Sequence, residues 1–336
     1  MRLFSRSGLM TGCVAGAVII GLLATLSTTP ARADSLQQLI EQVGPEYAEA
    51  YASPFIHAFG PNQNSSLFTT ADIPYSGLGF GIGIKVMGTY LNEEDQTFQK
   101  VVTVDDLGDY IPELAGTSGT AIMSGPTIFG DTETEGRIDL FANGVPVGSF
   151  EGITGFWDTR WVPLATPEAY VEGLAGLRFT LRYFPPVEMG DFGKTSYLGY
   201  GLQWSASGVL DNMPIDFMVG FFSTSLDVEN TQGLGQDKLF DSDANSYFIA
   251  ASKSWPALTL YGGFAIEDSK MDVNYAYVYE DPNLPEPVEG EASFSVDGRQ
   301  EQRFTVGVTL DIFLDLNLEA GFGDMSTYSA GLMFAF

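Results

Sequence analysis

Few side chains in this sequence could carry catalytic chemistry. The chain holds a single histidine, His57, and a single cysteine, Cys13. His57 precedes the first strongly alternating segment, so a Ser/His or Asp/His site carried on neighbouring strands cannot be assembled around it. Cys13 falls in an apolar leader, which leaves the rest of the chain without thiol or disulfide chemistry. The sequence therefore predicts no enzyme, no catalytic residue and no cofactor.

One acidic triplet has the spacing of a metal loop. Asp241, Asp243 and Asn245 resemble the start of a calcium-binding loop, in which alternate oxygen-bearing side chains ligate the ion. Ser246 stands where such a loop has glycine, and Ser252 stands where it has a bidentate acid. The three residues are metal candidates, but we predict loose bridging of acidic loops by divalent ions in preference to a specific metal site.

A third set of side chains could face the inside of a barrel. They share one side of alternating segments and mix both signs of charge with methionine and aromatic residues. The lumen-facing candidates are Lys85, Met87, Arg178, Arg182, Tyr197, Asp216, Met218, Phe222, Tyr261 and Arg303, joined by the acids Asp272, Asp311 and Glu319. Their charges either pair across the lumen or line a path, and the apolar members suit a greasy ligand better than a water pore.

The segments that must position these residues alternate with period two. At the end of the chain Tyr328, Ala330, Leu332, Phe334 and Phe336 alternate with small or mildly polar residues, and residues 78–90 repeat the pattern. Such segments are typical of strands with lipid on one side and a lumen on the other. Further strands are predicted near 177–183, 197–205, 215–222, 246–255, 257–279, 302–312 and 315–323. The predicted fold is all-β, a transmembrane antiparallel β-barrel of about 10 to 14 strands, with about 12 as the best value.

Charge and composition limit the partners. The formal net charge is −28 at pH 7, which excludes nucleic acid. The acids crowd into 92–95, 105–113, 131–135, 227–243 and 280–291, between the alternating segments, as expected of long outer loops. We expect outer-membrane lipid and the barrel-insertion machinery as partners, with a small hydrophobic ligand as a further one, and a monomeric barrel.

The chain divides into three predicted parts. Arg2 and Arg6 precede an uncharged run, and Ala31 and Ala33 offer small residues to a signal peptidase, so residues 1–33 are a predicted signal peptide cleaved near Ala33. Residues 34–74 form a short amphipathic helix, ended by Gly44-Pro45, and an irregular stretch that either plugs the lumen from the periplasmic side or hangs free. Residues 75–336 form the barrel, with a long loop region at 92–156 that holds one or two short strands, or a hairpin, or folds inward.

Several motifs carry resemblances. Ser329, Gly331, Phe334 and Phe336 resemble the terminal insertion signal of bacterial outer-membrane barrels. The mature chain resembles an uncharacterised family of such barrels in Asn64-x5-Thr70-Ala71, Pro126-Thr127-Ile128-Phe129-Gly130, Leu177-Arg178-Phe179-x-Leu181-Arg182-Tyr183-x-Pro185 and Gly199-Tyr200-Gly201-Leu202. It is more distantly similar to FadL-type transporters, which combine an N-terminal hatch with a barrel.

These resemblances imply a location and two roles. They imply the outer membrane of a Gram-negative-type bacterium. The expected function is passive uptake of small hydrophobic or amphipathic compounds, and the alternative is a structural or surface-interaction barrel without a transport channel.

Overall fold

The computed structural model describes residues 33–109, 111–188, 194–209, 213–229, 238–279 and 288–336. Apart from Ala33, the predicted signal peptide lies outside these residues. Helix α1 spans Ala33–Gln63. The strands are β1 Leu78–Tyr90, β2 Thr97–Val104, β3 Gly119–Pro126, β4 Glu135–Ala142, β5 Val145–Thr154, β6 Trp161–Gly173, β7 Leu177–Glu188, β8 Lys194–Ser205, β9 Asp216–Glu229, β10 Lys238–Trp255, β11 Leu258–Tyr279, β12 Val288–Asp297, β13 Gln302–Asp311, β14 Asp315–Phe322 and β15 Ser326–Ala335. No helix in the described ranges is both long and apolar enough to cross a membrane.

Ten of these strands close into an antiparallel barrel. Their order is β10-β9-β8-β7-β6-β1-β15-β14-β13-β11, and pairing of β10 with β11 completes the ring. The first and last strands meet, with Ile82 opposite Phe334 and Tyr90 opposite Ser326. β12 pairs only with the far half of β11 and stays outside the ring. The predicted fold class is confirmed; the strand number lies at the lower limit of the predicted range and below the best value of about 12.

The two faces of the wall differ as a membrane barrel requires. On β15, Tyr328, Leu332 and Phe334 are exposed on the outside, while Thr327 and Met333 are buried. The same alternation covers β1 and β8, so apolar side chains cover much of the outer surface of the wall. The closed ring pairs the strands edge to edge except along residues 161–167 of β6, and an apolar outer band is what lipid requires.

The two ends of the barrel carry different connections. The short-turn end has the links 174–176, 206–215, 256–257 and 312–314. The long-loop end has the links 91–160, 189–193, 230–237 and 280–301, together with the tight turn 323–325. The chain terminates at the short-turn end, beside the start of β1.

Strand β6 runs through two prolines in a part of the chain where the sequence analysis names no strand. Pro163 lies opposite Gly88, and Pro167 lies opposite Ile84, both on β1. On its other side β6 pairs with β7 only from Glu168 onward. A proline cannot donate to a strand ladder, but it is tolerated where one side of the strand has no partner.

The predicted loop region 92–156 contains a second sheet. Strands β2–β5 pair in sequence order and form what we call the four-stranded module (residues 97–154) at the long-loop end. The prediction of one or two short strands is wrong, and the module is separate from the barrel wall. Its period-two pattern is weak because the strands are short and because apolar residues also stand on the face that is open to solvent. Val101, for example, is 62% exposed.

Helix α1 is much longer than the sequence predicted. Gly44-Pro45 was expected to end it, yet the helix continues to Gln63. Tyr47 and Tyr51 pack against the four-stranded module, while Ile56 and Phe59 pack into the upper barrel. Burial of this face outweighs the backbone donors that the prolines remove, since tertiary packing overrides weak local propensity.

Strands β9 to β11 extend beyond the level of the other strands, which moves several predicted loop acids onto a ladder. Asp241 pairs with Asp272, Asp243 with Lys270, and Asn245 with Asp268. Asp272 was expected inside the barrel, but its neighbour Met271 takes the buried side and Asp272 is half-exposed on the outer face. The predicted acidic loop at 280–291 falls mostly outside the described residues.

Candidate functional site

A stretch of the N-terminal chain runs the length of the lumen. This lumen segment, residues 58–75, begins near the long-loop end, where Thr89 Oγ1 donates to the Ala58 carbonyl oxygen at 2.9 Å. It finishes at the short-turn end, where the Tyr75 hydroxyl donates to the Ser205 carbonyl oxygen at 3.0 Å. Residues 62–66 are each no more than 3% exposed. The chain therefore crosses the barrel before β1 begins.

Arg182 on β7 holds the middle of the lumen segment. Its guanidinium donates to the carbonyl oxygens of Ser65 at 2.9 Å and Ser66 at 2.5 Å, and to Glu168 Oε2 at 2.8 Å. The side chain is fully buried and lies over the Phe222 ring, 5.0 Å from its centroid. A planar guanidinium can bind several oxygens at once, so one arginine ties two elements of the wall to the chain inside it.

Arg303 on β13 makes the matching contact from the opposite wall. It donates to Ser65 Oγ at 2.7 Å, to the Pro61 carbonyl oxygen at 2.8 Å and to Glu267 Oε2 at 2.8 Å. Gln300 donates to the same carboxylate at 3.1 Å. The charge of Arg303 is thus neutralised by a wall acid, while Nη1 and Nη2 also bind the lumen segment. Its Nε is buried and has no partner among the described residues.

The backbone between the two arginines is held in an unusual conformation. Ser66 has φ of 57°, a left-handed value uncommon for a residue with a side chain. Its N–H donates to Glu319 Oε1 at 2.9 Å, while its carbonyl oxygen accepts from Arg182. Both backbone groups are bound by charged wall residues, and these bonds offset the conformational cost.

The lower lumen is filled by further hydrogen bonds and rings. Gln203 and Thr309 donate to the carbonyl oxygens of Leu67 and Thr69 at 2.7 Å and 2.9 Å. The Phe68 ring packs 5.2 Å from that of Phe248. These two carbonyl oxygens have partners on β8 and β13, so the lumen segment is part of the barrel core.

Lys85 on β1 is the exception among the buried cations. Its Nζ lies 3.9 Å from Glu168 Oε1 and has no hydrogen-bond partner among the described residues. It borders a cavity of about 20 Å³, shared with Arg178, Asp315 and Asn317. That volume fits about one water molecule and is far below a ligand pocket of several hundred Å³.

The upper lumen is apolar and aromatic. The Phe55 ring stacks on Phe59 at 5.4 Å, and Phe129 stacks on Trp157 at 5.2 Å. Other side chains of this cluster come from five barrel strands and one turn: Met87, Val162, Leu164, Tyr197, Leu226, Met271 and Met325. Helix α1 and the link after the four-stranded module thus close the long-loop end with apolar side chains.

The surroundings shift the pKa values of two side chains of α1 at the long-loop end. Burial lowers the pKa of His57, Arg299 lowers it further, and Asp95 opposes both. Burial raises the pKa of Tyr47, whose hydroxyl accepts a hydrogen bond from the Ile153 N–H at 3.3 Å. No cluster of three or more metal-binding side chains occurs in the described chain.

The structure brings most of the predicted lumen residues together. Those buried within the barrel are Lys85, Met87, Arg178, Arg182, Tyr197, Met218, Phe222, Tyr261 and Arg303. Asp216 is half-buried on the inner row at the short-turn end, and Asp311 is exposed there. Arg178 pairs with Glu172, so three of the four buried cations are bonded to a wall carboxylate.

The other predicted residues lie elsewhere. Asp241, Asp243 and Asn245 are part of β10 and do not form a loop, since a straight strand cannot wrap an ion. In the predicted insertion signal, Phe334 and Phe336 face outward and Ser329 is buried. A Cβ on Gly331 would lie 2.6 Å from Lys85 Cδ, so this glycine makes room for a lumen side chain.

Sequence reasoning missed the acids that bind the arginines. Glu267 continues the inward row of Tyr261 by period two, which was a usable signal. Glu168 stands one residue after Pro167, outside both the predicted loop region 92–156 and the predicted strands, so no pattern marked it. The partners Pro61, Ser65 and Ser66 are bound mainly through backbone oxygens, which carry no residue-specific signal.

Comparison with known proteins finds one family and distant structural likenesses. A family model described as "Family of unknown function (DUF6588)" matches residues 12–336. No curated protein matches the chain significantly. Among solved structures, the chain is similar to the β domain of the Bordetella autotransporter BrkA, with 10% identity over 77% of this chain and 100% of that one and a TM-score of 0.26.

Two further structures are similar at the same level. They are OprB of Pseudomonas putida, with 9% identity, 77% and 94% coverage and a TM-score of 0.21, and a mutant of the TodX monoaromatic hydrocarbon channel, with 10% identity, 77% and 89% coverage and a TM-score of 0.22. At such identities and scores the likenesses transfer no function to this chain.

Proposed function

Because the chain belongs to the family of unknown function DUF6588, whose description names no activity, we propose its function from the geometry of the barrel. The proposal is a sealed outer-membrane barrel that anchors a folded module at the cell surface for interaction with other molecules. It is non-enzymatic and has no open channel. It corresponds to the alternative raised by the sequence.

The observation that carries the proposal is the filled lumen. The lumen segment is bound by Arg182 and Arg303 from opposite walls, and the cavity beside it measures about 20 Å³. A ten-stranded barrel has room inside only for side chains and one further chain segment. We therefore expect no continuous path for solutes through the described part of the lumen while this segment is in place.

The orientation of the barrel supports a surface role. Outer-membrane barrels place short turns in the periplasm and long connections outside the cell. By this rule the four-stranded module and the first turns of α1 are extracellular. The packing of Tyr47 and Tyr51 against the module ties it to the lumen segment through one continuous helix.

A permeability measurement tests the sealed lumen. Full-length protein refolded in liposomes should not conduct, and removing residues 34–60 should change little because residues 61–75 still fill the lumen. Removing residues 34–73 should produce measurable conductance. Heat-modifiable migration on gels checks that each variant is folded. Conductance by the folded full-length protein comparable to that of the longer deletion would overturn the proposal.

A second candidate function is passive uptake of small hydrophobic compounds. The aromatic upper lumen around Phe55, Phe129 and Trp157 favours it, because apolar surfaces of this kind bind greasy ligands when they separate. A variant with Trp161, Trp204 and Trp255 changed to Phe leaves Trp157 as the single tryptophan. Saturable quenching of its fluorescence by a brominated fatty acid would support uptake, and the absence of quenching would count against it.

A further inference from the structure

An apolar groove lies on the outside of the barrel wall, toward the short-turn end. It measures about 380 Å³ and crosses β8 to β11 and β13. Its floor is made by Ala251 and Gly262, which lie opposite each other on β10 and β11. Larger side chains surround the floor: Trp204, Phe217, Ile249, Phe264 and Phe304.

The register explains why the groove exists. One level toward the long-loop end, Val219, Ile249 and Phe264 are paired in series across β9, β10 and β11. At the level of the floor the two central positions are small, so the wall is recessed by the length of a side chain. The surrounding surface faces the bilayer, where acyl chains are the solvent.

A basic residue lies next to the recess. Lys253 follows Ala251 by two positions on the outer row of β10, about 7 Å closer to the short-turn end. It is exposed, as is Trp255 beyond it, and tryptophan marks the level of the lipid headgroups. Within the described chain, every other Lys or Arg side chain lies in the lumen or toward the long-loop end. Lys253 pairs with Leu260 on β11, while Asp216 on β9 pairs with Ser252 on the inner row.

We propose that this groove retains one phospholipid of the periplasmic leaflet, with an acyl chain over Ala251 and Gly262 and its phosphate on Lys253. The recess supplies apolar contact on several sides of the chain, which the flat wall elsewhere does not. The ammonium supplies a charge partner at headgroup depth. The inference is independent of whether the lumen conducts, since it concerns the outer surface alone.

Native mass spectrometry of the full barrel in detergent tests the proposal, with palmitoyl-oleoyl-phosphatidylglycerol as the probe. Wild-type protein should show one bound lipid per barrel. Ala251→Phe should weaken binding at least tenfold by filling the floor. Ala330→Phe makes the same change on the outer face of β15, away from the groove, and should bind as wild type does. Should Ala251→Phe fail to fold, Ala251→Leu provides a smaller filling.

The lysine is tested separately with a lipid that has no phosphate. Lys253→Gln should weaken phosphatidylglycerol binding several-fold and leave palmitoyl-oleoyl-glycerol binding unchanged. Equal lipid occupancy in wild-type, Ala251→Phe and Ala330→Phe proteins would overturn the proposal. So would protein dimers that disappear in Ala251→Phe, because the occupant would then be a second copy of the chain.

Discussion

Phe336 and Phe80 exchange two backbone hydrogen bonds, from Phe80 N to Phe336 O at 2.8 Å and from Phe336 N to Phe80 O at 2.9 Å. Their rings stack with centroids 6.1 Å apart on the outer surface. The last residue of the chain thus extends the seam between β1 and β15 at the short-turn end. The terminal aromatic residue therefore has a structural role in closing the ring.

We expect changes at this terminus to reduce assembly. Phe336→Ser loses the stacked ring, and deletion of residues 334–336 also removes the pairs of Phe334 with Ile82 and of Ala335 with Gly81. The yield of heat-modifiable barrel in outer-membrane fractions should fall several-fold, and more for the deletion. Phe313→Ser is the control, because Phe313 is 89% exposed in a turn outside the seam. Normal yields from both terminal variants would contradict the role of the seam.

Arg182 should contribute more to stability than any surface arginine. Arg182→Met leaves Glu168 and two carbonyl oxygens of the lumen segment without their donor, and breaking a buried pair in this way costs about 3–5 kcal/mol. Arg137→Met breaks an ion pair with Asp139 in which the arginine is 64% exposed, and should cost under about 1 kcal/mol. Urea unfolding in lipid vesicles, followed by tryptophan fluorescence, compares the two. Similar urea midpoints for the two variants would argue against Arg182 as the main residue that binds the lumen segment.

Labelling of single cysteines should reveal the orientation. Val101 in the four-stranded module and Val209 at the short-turn end are 62% and 61% exposed, so Val101→Cys and Val209→Cys are matched in accessibility. On intact cells a membrane-impermeant maleimide should label the first and spare the second. After the outer membrane is permeabilised, both should react. The reverse pattern on intact cells would invert the orientation and remove the surface role.

His57 should make the fold sensitive to mild acid. Because its pKa is lowered in the folded protein, the unfolded chain binds the proton more readily. The contribution of His57 to stability is therefore complete above its ordinary pKa of about 6.5 and is lost as the pH falls from there through the folded value. Urea midpoints of the wild type should drop over this interval, and those of His57→Gln should drop less. Parallel curves for the two proteins would rule out this contribution.

Period-two alternation predicted the barrel well because lipid and lumen impose opposite demands on successive residues. Strands β1, β7, β8 and β15 were recognised for that reason. The pattern failed for β6, since Pro163 and Pro167 stand where one neighbour is missing and the usual penalty for proline does not apply. It also failed for the four-stranded module, whose strands are short and carry apolar residues such as Val101 and Val145 on the exposed face.

Only part of the site in the lumen could be predicted from the sequence. The arginines could be placed in the lumen from their row, because a charged residue among alternating apolar ones marks the inner face. Their main acceptors could not be identified. Every residue has a backbone carbonyl oxygen, so the residue types at Pro61, Ser65 and Ser66 do not distinguish these positions from others. The length of α1 was likewise set by surfaces that are distant in sequence.

The path of the lumen segment also constrains the order of assembly. The segment precedes β1, while the seam that completes the ring needs β15 and the final residue of the chain. If α1 had to pass through a finished ring, no lumen contact could form until the ring had closed. A sheet that curls round a segment already lying across it needs no such passage. Once the ring is closed, the Arg182 and Arg303 contacts inside it and the strand pairing of the seam hold the lumen segment in place together.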